Sequence, residues 1–209
     1  MNTSARKCLQ LCFFALLISG CLSIKHPYKK IDYYTLEYDS PQMTHLEPLP
    51  LVLRVERFQV APVYDTRRII YRKKPFTRDA YSYHMWRSNP GNLVSYFLLR
   101  DLRQSEAFKS VITHDGSLMS SHVIEGAVDE FYEHDGKDSW EAVLAISITL
   151  TAKKEPDISK KILLQKTYST RETCRQKNPQ ALAQAMSKAM AKLSASIIAD
   201  VYNSLADAR

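Results

Sequence analysis

Between Ala142 and Ala152 the chain alternates residue by residue, with Leu144, Ile146, Ile148 and Leu150 on one side and Ala145, Ser147, Thr149 and Thr151 on the other. A period of two sends successive side chains to opposite faces of a β-strand, so one face is to be buried and the other wet. A strand of this kind cannot cover its apolar face alone. It needs neighbours in a sheet and a second layer above them, and the remaining sequence must supply both. The expected neighbour is Lys160 to Thr170, where Ile162 and Leu164 continue as Lys166 and Tyr168, joined as a hairpin through the charged loop Lys153 to Asp157.

Further strands are marked by β-branched and aromatic runs. Leu51, Leu53 and Val55 alternate within Leu51 to Val60, and Arg68-Ile69-Ile70-Tyr71-Arg72 follows. Ala61-Pro62-Val63-Tyr64-Asp65 between them supplies a turn, which predicts that the two runs pair as a hairpin. Tyr81, Tyr83 and Met85 alternate up to Trp86, a residue for the core or for packing at a sheet edge. Phe108 to Thr113 and Val123 to Tyr132 continue the sheet on either side of a turn at Asp115-Gly116.

Two segments carry helix signals. In Ser88-Asn89-Pro90 either polar residue can cap a helix whose first position tolerates proline, and Leu93, Val94, Phe97, Leu98 and Leu102 form one apolar face, predicting a helix from Pro90 to Gln104. Asn178-Pro179 opens a second, with Leu182, Met186, Ala189, Met190, Leu193, Ile197, Val201 and Leu205 on its stripe. At about 27 residues it exceeds an average helix by several turns, so it is expected either to span the sheet or to reach a partner with a stripe that exceeds what one domain covers. Met186 and Met190 read as core, because methionine fills irregular gaps. The expected class is α+β, a mostly antiparallel sheet of about five to seven strands with two main helices packed on it.

The N-terminus is of another kind. Arg6 and Lys7 precede an apolar stretch of 11 residues, Cys8 to Ile18, which ends in Ser19-Gly20. This is the layout of a secretory signal, and it falls well short of the ~20 apolar residues that span a bilayer. Ile18-Ser19-Gly20-Cys21 resembles the bacterial lipobox, which makes Cys21 the lipidation site: a diacylglycerol is placed on the thiol, the signal is cut, and the new amine is acylated. At ~0.8 kcal/mol per buried methylene, two or three chains anchor stably where one would be marginal. The expected organisation is therefore a signal peptide over 1–20, a lipidated tether over 21–50 with one short strand at Tyr33-Tyr34-Thr35-Leu36, and a single α+β domain over 51–209. The prolines at 27, 41, 48 and 50 set the tether's character.

Removal of Arg6 and Lys7 takes the 29 basic residues to 27 against 22 acidic ones, a balance of +5. An exported basic chain meets anionic headgroups and acidic proteins rather than nucleic acid. Cys8 and Cys12 leave with the signal and Cys21 is consumed by lipid, so Cys174 is left without an intramolecular disulfide partner and reads as a small buried apolar residue. The chain has no Gly-x-Ser-x-Gly elbow, no phosphate-cradling glycine loop and no Cys-x-x-Cys. His26, His45, His84, His114, His122 and His134 show no metal-ligand spacing. Asp129, Glu130, Glu133 and Asp135 cluster at a strand end and read as a solvated one. No nucleophile, metal set or acid-base pair emerges, so the expectation is no enzyme, no cofactor and no metal.

The order of these features resembles the auxiliary lipoproteins of ABC-type transporters, including the lipoprotein of the paraquat-inducible intermembrane transport system. The residues that carry the resemblance are Ile18 to Cys21, Tyr33 to Leu36, Leu53-Arg54-Val55, Ala61 to Asp65, Ile69 to Arg72, Trp86, Gly126 to Phe131 and the terminal helix. The resemblance implies a non-catalytic component of a system that moves lipids or hydrophobic compounds between two membranes. It implies a periplasmic partner with mammalian-cell-entry domains and a homo-oligomeric ring. Leu22-Ser23 lacks the aspartate of the inner-membrane retention signal, which points to the periplasmic face of the outer membrane. The alternative is an assembly or plug lipoprotein that partners a β-barrel.

Overall fold

A computed structural model of the protein describes residues 29–43, 46–137 and 139–208, so the signal and the lipobox lie outside the described residues. The compact unit begins at Ile31 rather than at residue 51. Part of the expected tether therefore belongs to the folded unit: Leu36 is buried in the core, and Ser40 is buried against Asp101.

The sheet is assembled around one long strand. Its nine strands are β1 (Asp32–Tyr34), β2 (Leu49–Val55), β3 (Gln59–Val60), β4 (Arg68–Arg72), β5 (Asp79–Trp86), β6 (Phe108–Thr113), β7 (His122–Asp135), β8 (Trp140–Ala152) and β9 (Ile162–Thr173). One edge of β7 pairs with β8 along its whole length, and β8 pairs with β9; both pairings are antiparallel hairpins. The opposite edge of β7 is shared end to end by β2, β3 and β4, all parallel to it. Outside them, β6 joins β2 in parallel, β5 joins β4 antiparallel, and β1 joins β5 in parallel at the sheet edge.

The sheet is therefore mixed, which corrects two expectations. Its pairings are not mostly antiparallel, and its strands outnumber the five to seven anticipated. The run ending at Val60 and the run from Arg68 do not form a hairpin with each other; each turns aside to lie along β7. The turn at Pro62–Tyr64 is a short 3₁₀ helix that carries the chain along β7 from one partner to the next. Glycine matters here at Gly126, where a Cβ would run into the Phe58 ring and the Ser147 carbonyl. Residues between β2 and β3 thus approach β7 more closely than any side chain at position 126 would permit.

The helices are α1 (Pro90–Gln104), the single turn α2 (Ile158–Lys161) and α3 (Pro179–Asp207). Asn89 caps α1, its side chain accepting from the amides of Gly91 and Asn92 at 2.8 and 3.4 Å, and Asn178 caps α3 by accepting from Ala181 at 2.8 Å. Each cap stabilises its helix by about 1 kcal/mol. Both long helices pack on the sheet, and Leu98, Leu102, Leu182, Met186, Met190 and Ile197 meet Leu53, Trp86, Ile146 and Ile148 in one core. The apolar stripe of α3 is covered within the chain from Leu182 to Leu205, so of the two alternatives the helix spans the sheet and leaves no apolar surplus for a partner. The long sheet and the segment after β1 give that helix enough surface to cover its whole length.

Candidate interaction surfaces at the two ends of the sheet

Cys21 lies outside the described residues. The acidic group on β7 is described, and it differs from a solvated strand end. Glu133 is fully buried. Tyr81 Oη donates to both of its carboxyl oxygens at 3.1 Å, and Trp140 Nε1 donates to Oε1. Burial pushes the Glu133 carboxyl up to about 7; the donors Trp140 and Tyr81 pull it back in part, and Asp135 pushes it further up. Burial, with the charge of Glu133 beside it, pushes the Tyr81 hydroxyl up as well. Buried Cys174 has its thiol raised to about 12 by burial first and Glu133 second.

The other carboxylates of the group go separate ways. Asp129 accepts from Ser147 Oγ, and Asp135 is held by Lys177 at 2.6 Å and Lys73 at 3.9 Å. Glu133 ties β5 and β8 to β7 and has no local signal in the sequence, because Tyr81 is 52 residues away. Its alternation with buried Phe131 was the available hint. His26 and His45 lie outside the described residues, while His84 meets Tyr34 and His134 meets Arg72. His122 meets Ser121, and burial lowers its pKa. Among the described residues no three potential ligands gather for a metal, and no helix is long and apolar enough to cross a membrane.

Exposed apolar side chains collect at the two ends of the sheet. Where β7 starts and β8 ends, the surface carries Leu118 at 62%, Met119 at 85% and Ile158 at 81% exposure. The loop that presents Leu118 and Met119 is not loose. Buried Arg54 donates to the backbone carbonyls of Thr113, His114, Gly116 and Leu118 at 2.6–3.2 Å and to Ser120 Oγ at 3.3 Å. A guanidinium offers five donors in a fixed fork, so one side chain satisfies a whole turn of loop carbonyls. The Lys153 amide donates to Ser121 O at 2.9 Å and ties this loop to the β8–β9 connection that bears Ile158. Beside it, a depression of about 190 Å³ between α1, β2 and β6 is lined by Tyr96, Leu99, Thr113 and His114. At the other end of β7, the β4–β5 loop exposes Phe76 completely, between Lys74 and Arg78.

The described residues form a curved mixed sheet backed by two long helices, with exposed apolar side chains at both ends of β7. Residues 34–198 match the family described as ABC-type transport auxiliary lipoprotein component. The chain belongs to that family, and with it to the lipid-anchored proteins of the cell envelope. Its fold is similar to that of a Xanthomonas campestris protein, with 13% identity, a TM-score of 0.75, and coverage of 85% of this chain and 99% of that one. It is also similar to an uncharacterised protein at 16% identity and TM-score 0.63, over 82% of this chain and 99% of the other. No functionally curated protein matches the chain.

Proposed function

We propose that this protein is a non-catalytic accessory of an ABC-type system that moves lipids or other hydrophobic compounds between membranes. Acyl chains on Cys21 hold it at the periplasmic face of the outer membrane, and it receives a periplasmic partner with mammalian-cell-entry domains, itself arranged as a homo-oligomeric ring. The observation that carries this reading is the family match across the folded unit. The Arg54-clamped loop supports it, because a rigid loop that keeps Leu118 and Met119 in water suits the docking of another protein.

Two experiments test it. Cys21→Ala is expected to appear as a soluble or uncleaved form on membrane fractionation, and normal retention at mature size would refute lipidation. A photo-cross-linking residue at position 119 is expected to capture a mammalian-cell-entry protein or a second copy of this chain. Capture of a β-barrel assembly component instead would establish the alternative role.

A further inference from the structure

The β4–β5 loop carries a fully exposed aromatic side chain among cations. From Arg72 to Arg78 it reads Arg-Lys-Lys-Pro-Phe-Thr-Arg, four cations and no carboxylate. Its tip is closed by the Thr77 amide and hydroxyl, which donate to Lys74 O at 3.4 and 2.9 Å. Phe76 adopts φ 63°, a left-handed conformation that a bulky residue rarely takes, and none of the described residues covers its ring. Behind the tip, Arg72 and Arg78 stack on the Tyr132 ring, 5.1 and 4.8 Å from its centroid, so the base of the hairpin is stiff. Lys73 and Lys74 are exposed; Lys73 reaches Asp135 only at 3.9 Å, and Asp79 is the exposed acid beside the loop.

The strand directions place this tip near the point where the tether meets the folded unit. β1 runs parallel to β5 with Asp32 opposite His84, so the chain enters β1 from the side of the β4–β5 loop. From His84 back to Asp79 is five residues of strand, roughly 17 Å. Eleven residue steps lead from Cys21 to Asp32, a contour of roughly 36–40 Å. A lipid on Cys21 would by contour length leave the Phe76 tip within reach of the bilayer that holds it, and Leu118, Met119 and Ile158 sit at the opposite end of β7.

We infer that the β4–β5 hairpin is a second membrane contact, in which Phe76 enters the interface and Lys73 and Lys74 meet anionic phospholipid headgroups. An aromatic tip flanked by cations matches a surface that is apolar below and negatively charged above. The contact would hold the unit upright, with its Met119 end turned to the periplasm. This inference rests on the lipoprotein reading for its geometry, but its test does not use the lipid.

The chain from residue 21, carrying Cys21→Ser and hence unlipidated, is floated with vesicles of phosphatidylglycerol and phosphatidylethanolamine or with phosphatidylcholine alone. It is expected to float with the first and not the second, and to be released near 1 M salt, where the screening length falls to ~3 Å. Phe76→Ser and the pair Lys73→Gln with Lys74→Gln are each expected to weaken partitioning about tenfold without changing thermal melting. Met119→Ser, at the far end, is expected to leave partitioning unchanged. In Phe76→Trp the fluorescence at position 76 should move to the blue on vesicle addition. Failure of the anionic vesicles to bind the chain, or equal binding by the Phe76 and lysine variants, overturns the inference. Neither result bears on Cys21, whose role is read separately by fractionation.

Discussion

Asp101 on α1 and Glu133 on β7 are both completely buried carboxylates that fasten distant segments, yet their donors differ in kind. Asp101 accepts from Arg100 Nε and Nη2 at 2.9 and 2.7 Å, from Tyr38 Oη at 2.7 Å and from Ser40 Oγ. Arg100 in turn lies over the rings of Tyr38 and Phe97, 4.4 and 4.7 Å from their centroids. Glu133 has only the neutral donors Tyr81 and Trp140 in contact. A guanidinium beside a buried carboxylate compensates for lost water in a way that hydroxyl and indole donors cannot. One site is therefore an ion-paired clasp for residues 38–40, and the other is a clasp of neutral donors whose carboxyl is pushed up by burial.

The extreme of this series is a buried carboxylate with no donor at all, made by Ile146→Asp in the middle of β8. It should cost several kcal/mol, comparable with the whole stability of an ordinary domain. Circular dichroism should show no cooperative melting, and a transition like that of the wild type would mean that this face of β8 is not buried. Asp101→Ala comes next, at about 3 kcal/mol by denaturant titration, because it leaves Arg100, Tyr38 and Ser40 without their acceptor. A loss below about 1 kcal/mol would make the clasp dispensable and end the contrast with Glu133.

Glu133 adds a pH dependence whose sign follows from its raised carboxyl. Between the ordinary 4.5 and about 7 the folded chain holds a proton that the unfolded chain has released. The stabilisation is fully present below 4.5 and is lost as pH rises through 7, a change of about 3 kcal/mol. Glu133→Gln should remove this component, so denaturant midpoints measured at about pH 5 and about pH 8 should lie closer together than in the wild type. An identical pH profile in the variant would show that water reaches the site. The smallest effect concerns the neighbour: with its thiol raised to about 12, Cys174 should react with a disulfide reagent only when the chain unfolds. Cys174→Ala should cost about 1 kcal/mol.

Much of the architecture was readable in the chain because it is encoded locally. The boundaries of α1 and the start of α3 follow from an asparagine, a proline and a 3.6-residue period, and Asn89 proved to be the cap where Ser88 could also have served. The β8–β9 hairpin follows from alternation and a charged loop, and Trp86, Cys174, Met186 and Met190 entered the core as their chemistry implied. The neighbours of β2, β3 and β4 were not readable. Alternation states which face of a strand is buried and is silent about which strand lies beside it, and adjacency in sequence favours a hairpin that this fold does not make.

The same distinction runs through the functional surfaces. The expectation of lipid on Cys21 comes from a four-residue motif at the N-terminus, a signal that is local in the sequence. The exposed apolar residues carried no signal in the sequence, because no periodicity marks Leu118 or Phe76 as exposed or tells one end of the sheet from the other. Glu133 looked like a solvated strand end for the same reason, with Tyr81 52 residues distant. What a residue's own neighbours along the chain decide, namely helix limits and strand faces, the amino-acid order determined by itself. Which strands share β7, which carboxylate is buried and which end carries which loop were decided only by tertiary structure, because those properties depend on contacts between segments that local sequence does not specify.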